Sequence, residues 1–509
     1  MLKTLALVMP KKDLRQPEFV DFYLPFSGRL NASNRWVQLA ELMPWDEVDR
    51  CYSESLAGTG MGAPAKTGRM AYGALVIKER LGITDEETAE QVCENPYLQY
   101  FLGLQEYRDG NVFDPSMMVH FRSRFTQEHH RLINEKLIQA STTKPKDKDK
   151  VGGNDSDPGP PKNSGKLLVD ATCTPADIKY PTDLGLLNEG REKTESIIDS
   201  LHDMLVNDDP NWVQKPRTYR KNARKDYLAV AKQKKPGSKK VRKAIGQQLR
   251  YVRRNLGHID RMLDQDELLL SSLSPYMYKC LLVIRTLYAQ QVKMYKNRTH
   301  SIADRIVSIS QPHVRPIVRG KTAKSTEFGA KISISHQAEG YVSLDTLSWD
   351  AYNEQSDLPA QIEGYHDRFG FYPKSVHADT IYRTRENRRY CIDRGIRLSG
   401  KPLGRPRKET PAHSAELKEQ RLLQHQDQID RIPVEGKFGN GKRGGTLQRI
   451  MAKLSHTSQS VIHVAILVLN LEKRLRVLLL HLIKSLAAPS IVHLQNPFLV
   501  SIWKSPRYS

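Results

Sequence analysis

The chain has 509 residues, enough for two to four domains and at least one large core. Lys and Arg outnumber Asp and Glu by 79 to 57, and the resulting net charge of +22 favours a polyanionic partner, of which nucleic acid is the commonest. The five cysteines (Cys51, Cys93, Cys173, Cys280, Cys391) lie far apart without a CxxC pair, which excludes a zinc site or disulfide framework and suits reduced thiols in a cytosolic protein.

In chain order, the apolar start is too short, and too soon broken by Pro10, for a signal peptide. Residues 1 to about 140 read as an all-α domain. Apolar positions recur at helical period from Arg69 to Leu81, Gly82 breaks the run, and Thr84 with Glu87 forms a capping box for the next helix. This helix-turn-helix look invites a DNA-recognition role, but Asp85, Glu86, Glu87 and Glu90 would repel phosphates. The basic, amphipathic segment Ser116–Phe125, with Arg122 and Arg124, is the better expected DNA contact. Residues 141–164 lack apolar periodicity and read as a flexible linker.

A new texture begins at Lys166-Leu-Leu-Val-Asp170, a short buried strand ending in an acid. A helical region of about 189–310 follows. Between Lys215 and Arg254 it carries many cations against the single acid Asp226, with Tyr219, Tyr227 and Tyr251 interleaved, as expected of a surface for a phosphate backbone. Strands are expected at Val314–Val318, Ala330–Ser335 and Tyr341–Leu344, then a helix at Leu358–Phe369 and strands at Ser375–Asp379 and Gly395–Leu398. From about Ala412 the chain reads as helical, apart from the glycine-rich stretch after Glu435. Its apolar run at Val461–Ile483 contains Glu472, Lys473, Arg474 and Arg476, so it is a core helix and not a membrane span. Residues 165–486 are thus expected to form an α/β domain, a mixed sheet with a helical insertion after its first strand, followed by a tail at 487–509.

Asp170 and Asp379 each close an apolar strand run, at the edge where open α/β sheets bind ligands. Converging carboxylates repel one another, and a divalent cation removes that cost. Oxygen ligands without His or Cys suit Mg²⁺ or Mn²⁺. Glu435, alone in a basic stretch, is the natural third ligand. On an ideal helix Arg431, Glu435 and Lys442 fall within roughly 40° of one another. Pro433, Gly436, Gly439 and Gly441 argue against a helix there.

Leu168-Val-Asp170-Ala-Thr, His377-Ala-Asp379-Thr-Ile-Tyr382 and Val434-Glu435-Gly-Lys437-Phe-Gly-Asn-Gly-Lys442-Arg443 resemble the three acidic segments of the DDE transposases of bacterial insertion sequences. Arg319-Gly-Lys321 and Glu327-Phe-Gly-Ala-Lys331 are similar to the strands between, and Glu94–Leu104 with Phe121-Arg-Ser-Arg124 to the preceding helical domain. The spacing of Arg431, Glu435 and Lys442 fits a family signature, Tyr-x2-Arg-x3-Glu-x6-Lys, whose tyrosine is replaced by Gln428. The resemblance implies a ribonuclease-H-like catalytic domain and two-metal phosphoryl transfer. Asp170 would bridge two Mg²⁺ (or Mn²⁺) ions, with Asp379 and Glu435 each completing one shell. Arg431, Lys437, Lys442, Arg443, Arg319 and Lys321 are the implied DNA contacts. The implied partners are terminal inverted repeats and target DNA, handled by a homodimer at the bacterial nucleoid. Two rival readings are a metal-dependent nuclease on the same fold and a catalytically inert DNA-binding relative.

Overall fold

The computed structural model describes residues 24, 28–56, 64–142, 163–208, 215–265, 268–318, 326–337, 339–401, 404 and 413–487. The helices Arg35–Leu42, Trp45–Glu54, Gly68–Leu81, Asp85–Glu94, Pro96–Phe101, Met117–Arg124 and Gln127–Thr142 form an N-terminal bundle. Its punctuation follows the sequence. The Thr67 hydroxyl accepts from the Met70 amide at 3.1 Å, Gly82 closes that helix at φ +67°, and the Thr84 hydroxyl accepts from the Glu87 amide at 3.1 Å. Trp36 and Trp45 both meet Phe101 edge-on, with centroids 5.2 Å apart.

In the basic segment Ser116–Phe125, Arg122 is turned into the bundle and not towards solvent, against the expectation that it contacts DNA. Arg122 is buried and donates two hydrogen bonds to the Asp85 carboxylate, at 2.9 and 2.6 Å, while Lys78 sits 3.0 Å from the same group. The acid expected to repel phosphate is therefore neutralised within the bundle. Arg124 lies over the Tyr52 ring at 5.8 Å. Arg122→Ala should cost on the order of 2–4 kcal/mol, because it leaves a partly buried carboxylate with one cation instead of two. Denaturant unfolding measures that loss.

The predicted linker overlaps the end of the helix Gln127–Thr142; residues 143–162 lie outside the described residues, as do 488–509 of the predicted tail. Beyond them a six-stranded mixed sheet is built from β1 (Lys166–Pro175), β2 (Arg315–Val318), β3 (Thr326–Gln337), β4 (Val342–Ser348), β5 (Ser375–His377) and β6 (Arg397–Leu398). The strand path is β2-β3-β1-β5-β6, with β4 also on β3. β1 runs antiparallel to β3 and parallel to β5, and β6 is parallel to β5.

β1 does not stop at Asp170. It runs on to Pro175 because β3 pairs with it from Leu167↔Gln337 to Pro175↔Gly329. That last pairing requires glycine: a Cβ at Gly329 would fall 2.0 Å from the Thr174 carbonyl oxygen. Side chains alternate along β1. Leu167 and Val169 pack with Leu358, Ile362, Val376 and Tyr382 on one face, while Leu168 joins Val434, Phe438 and Ile466 on the other. Asp170 and Thr172 share the Leu168 face.

The insertion between β1 and β2 consists of helices Asp183–Asp208, Arg220–Ala231, Ser238–Leu263, Leu268–Ser272 and Pro275–Asn297, around a separate core that includes Ile198, Leu201, Leu249, Val252 and Ile284. The last helix ends at Asn297, short of the expected 310, and Arg298 closes it in the left-handed conformation. Lys221, Arg224, Lys225, Lys239, Lys240 and Arg250 are exposed, as expected of a solvated basic surface. The interleaved tyrosines are already engaged. Arg254 lies over Tyr219 at 4.6 Å and Tyr251 at 5.1 Å, and the Tyr251 hydroxyl donates to Asp226 at 2.9 Å.

The C-terminal helix Ser455–Ala487 belongs to two cores. Leu467, Leu471 and Leu475 enter the N-terminal bundle, while Ile462, Ala465 and Ile466 cover the sheet. Asn470 fastens the junction: its amide nitrogen donates to the Val342 carbonyl at 2.7 Å and to Asn134 Oδ1 at 2.8 Å, and its own Oδ1 accepts from the Val342 amide at 2.8 Å. Among the described residues no helix is long and apolar enough to cross a membrane.

Candidate active site

The parallel pairing of β1 and β5 ends at Leu168↔His377, and continuing that register by two residues sets Asp379 beside Asp170. Asp379 lies just past β5, where it caps the short helical turn Thr380–Tyr382; its Oδ1 accepts from the Thr380 amide at 2.7 Å. Asp170 Oδ1 accepts from the Ala171 amide at 2.9 Å. The third acid arrives on the helix Ser414–Gly444, which is packed against β1. This helix runs unbroken through Pro433 and the glycines, contrary to the objection they raise in sequence. Each interior glycine costs up to about 1 kcal/mol and the proline about 3. Burial of Val434 and Phe438 in the sheet core offsets this, and Gly441 lets the helix sit close to Leu447, whose Cδ1 would lie 2.7 Å from a Cβ there.

Arg431 lies between two of the acids. Its Nη1 is 3.6 Å from Asp379 Oδ1 and its Nη2 3.9 Å from Glu435 Oε1, with 19% of the side chain exposed. Asp379 and Glu435 are 56% and 64% exposed, so the centre opens to solvent on their side. Asp170 is the inner member. Burial pushes its carboxyl up to about 6; the Ala171 amide and Arg431 oppose that rise, and Asp379 and Glu435 add to it.

A raised carboxyl destabilises the fold once it ionises. The cost is absent below the unfolded pKa near 3.8 and grows as pH rises towards 6. Asp170→Asn should therefore stabilise the metal-free protein at pH 7 by on the order of 1–2 kcal/mol, seen as a higher melting temperature, and the gain should vanish below about pH 4. Thermal scans in chelator at both pH values measure it; a variant less stable than wild type at pH 7 would contradict this electrostatic account.

The other predicted contacts take different places. Lys442 is not held out for phosphate: its Nζ donates to the Thr172 hydroxyl and the Cys173 carbonyl, each at 2.9 Å, and so ties the acid-bearing helix to β1. Lys437 is half-buried on another side of that helix, where burial and the neighbouring Lys473 and Arg476 lower its ammonium to about 8. Arg443 is exposed. Arg319 and Lys321 lie outside the described residues.

Sequence reasoning missed the group His377, Asp427 and Asp430, whose potential ligand atoms all lie within 4.8 Å of one another. Both acids are already engaged with cations. Arg397 donates to Asp427 at 3.0 and 2.7 Å, the Gly400 amide adds 3.1 Å, and Lys166 donates to Asp430 at 2.6 Å. The group acts as a clamp holding the acid-bearing helix to β1, β5 and β6. Asp427, Asp430, Arg431 and Val434 recur at helical spacing, the one signal that could have shown this face turned inward.

Fold and site together define a mixed-sheet α/β protein with a three-carboxylate centre beside its first strand. Residues 376–472, which include Asp379 and Glu435, match the family model described as Transposase DDE domain, and residues 25–124 match that described as Transposase domain (DUF772). Both matches are to transposase domains, so over these two segments the chain is similar to transposases, the later segment to their DDE domain. Over 158 residues it is 27% identical to a Rhizobium meliloti protein described as "Uncharacterized protein ORF8 in nfe locus", covering 30% of this chain and 68% of that protein. No solved structure matches the chain.

Proposed function

We propose that this transposase cleaves DNA at the ends of an insertion sequence and joins those ends to target DNA, with Asp170, Asp379 and Glu435 as its catalytic carboxylates. The convergence of the three acids around Arg431, from β1, the turn after β5 and one helix, carries this reading. The central first strand, antiparallel to β3 on one side and parallel to β5 on the other, supports a ribonuclease-H-like domain.

The donor set is three carboxylates, the inner one raised to about 6 by burial with Asp379 and Glu435 adding to the rise, and a divalent cation such as Mg²⁺ or Mn²⁺ would relieve that cost of ionisation. Such ions, when bound, stabilise charge on phosphoryl oxygens and lower the pKa of water. Arg431 balances Asp379 and Glu435 until that charge arrives and stands within reach of a flanking phosphate. The clamp at Asp427 and the tie from Lys442 hold the acid-bearing helix at fixed height on the sheet, as in-line chemistry requires. Arg443 and the exposed cations of the insertion supply sequence-independent grip on duplex DNA. Bringing two ends together calls for a homodimer, working on host DNA in the bacterial cytoplasm.

The test is incubation of the purified protein with Mg²⁺ and a duplex carrying the element's inverted repeat, beside target DNA. Nicking at the repeat boundary followed by joining is expected. Nicking without joining would identify a nuclease, and binding without nicking an inert relative.

A further inference from the structure

A cavity of about 660 Å³ lies on the opposite side of the acid-bearing helix from Glu435, enclosed by that helix, the C-terminal helix, the turn between β3 and β4, and Glu79 and Arg80 of the bundle. Lys437, Arg443, Lys473 and Arg476 line it. Two of the acids on its wall are already used: Glu79 accepts from the Thr446 amide at 2.9 Å and hydroxyl at 2.6 Å, and Glu472 accepts from Arg80 at 2.6 Å. Glu339 is the remaining acid on the wall, against four cations. No ion pair joins Lys437, Lys473 or Arg476 to an acid among the described residues, and Lys437 feels the charge of both others.

A second observation points into the same space. His336, on β3, is 4% exposed, lines the cavity, and its Nδ1 has no hydrogen-bond partner among the described residues. A buried ring nitrogen left unpaired beside unneutralised cations offers both the hydrogen-bonding capacity and the charge that an anion bearing several oxygens would satisfy. The backbone leaves room for one: a Cβ at Gly436 or Gly444 would touch nothing within 4 Å, and Gly340 at φ +90° brings the turn in against Lys473.

We propose that this cavity is an anion site that takes a phosphate group, carried either on a free nucleotide or on a DNA strand. It is separate from the acid centre. The ammonium groups of Lys437 and Lys473 and the guanidinium of Arg476 supply the charge, and His336 supplies a directional hydrogen bond. Its volume suits a nucleotide-sized ligand better than a bare ion.

Calorimetric titration of metal-free full-length protein with pyrophosphate tests the site, comparing wild type, Lys437→Gln/Lys473→Gln and Glu435→Gln. Saturable binding by wild type and Glu435→Gln is expected, at least tenfold weaker in the double variant. The melting temperature of the double variant should not fall, because mutually repelling charges have been removed. Titration with a fluorescent duplex in the same buffer separates the sources. Displacement of the duplex by pyrophosphate, with weaker duplex binding by the double variant, assigns a DNA strand; pyrophosphate binding that leaves duplex affinity unchanged assigns a free nucleotide. Equal pyrophosphate and duplex affinities in wild type and the double variant would overturn the proposal. Because Glu435→Gln retains the site, its failure and that of the catalytic reading are told apart.

Discussion

Asp170→Asn, Asp379→Asn and Glu435→Gln should each reduce Mg²⁺-dependent cleavage of the element's ends by on the order of a thousandfold or more, a barrier increase of about 4 kcal/mol. Each exchange preserves shape and removes a negative charge from a centre built of three. The effects should not be equal in kind. Asp170 is the inner acid, subject to the charge of both others, so its loss removes the group that couples them. Asp379 and Glu435 are more than half exposed, and each approaches Arg431 within 4 Å. Losing either leaves the guanidinium with a single acid and should make the centre more positive. End-binding, followed by gel shift, should then stay within a few-fold of wild type or tighten. Strand transfer at the wild-type rate in any of the three would remove the assignment of that residue.

The second large effect concerns a residue that never meets DNA in this reading. Asp427→Ala should cost on the order of 2–4 kcal/mol, seen as a lower denaturant midpoint, because Arg397 and the Gly400 amide lose their common acceptor. Asp427→Asn should lose less, since one acceptor oxygen remains. The pH dependence has a definite sign. Burial raises the Asp427 carboxyl, but Arg397 and the Gly400 amide outweigh it and hold the pKa below the ordinary value. Its stabilisation is therefore full above about pH 4 and lost as pH falls through the depressed folded value, where wild type and Asp427→Ala should converge. Activity should fall as well, because Asp427 lies two helical turns before Glu435 and fixes its height on the sheet. Wild-type stability in Asp427→Ala at pH 7 would refute the clamp.

Much of this architecture is visible in local chemistry. Thr84 and Glu87 mark a helix start and Gly82 a helix stop whatever lies around them, and the structure places both there. The continuous apolar run Leu167, Leu168 and Val169 marks a strand buried on both faces, and three isolated acids in apolar or basic settings are conspicuous without partners. What failed depended on distant residues. Lys166–Asp170 read as a complete strand because nothing local shows that β3, some 160 residues on, pairs with β1 as far as Pro175. Arg122 read as a DNA contact because its partner Asp85 lies 37 residues away on another helix. Pro433 and the glycines argued against a helix on propensity, which core packing of Val434 and Phe438 outweighs.

By itself, then, the sequence determined most of the element types and the basic surface, and singled out the three acids, because caps, periodicity and charge act over a few residues. Only the tertiary structure decided which cations remain available to a ligand. Arg431 reaches the acids, Lys442 is spent on β1, Arg122 on Asp85 and Arg397 on Asp427, while Lys437 and Lys473 face a cavity. An ion pair is a relation between two places in space, and chain contacts that bring those places together span tens to hundreds of residues.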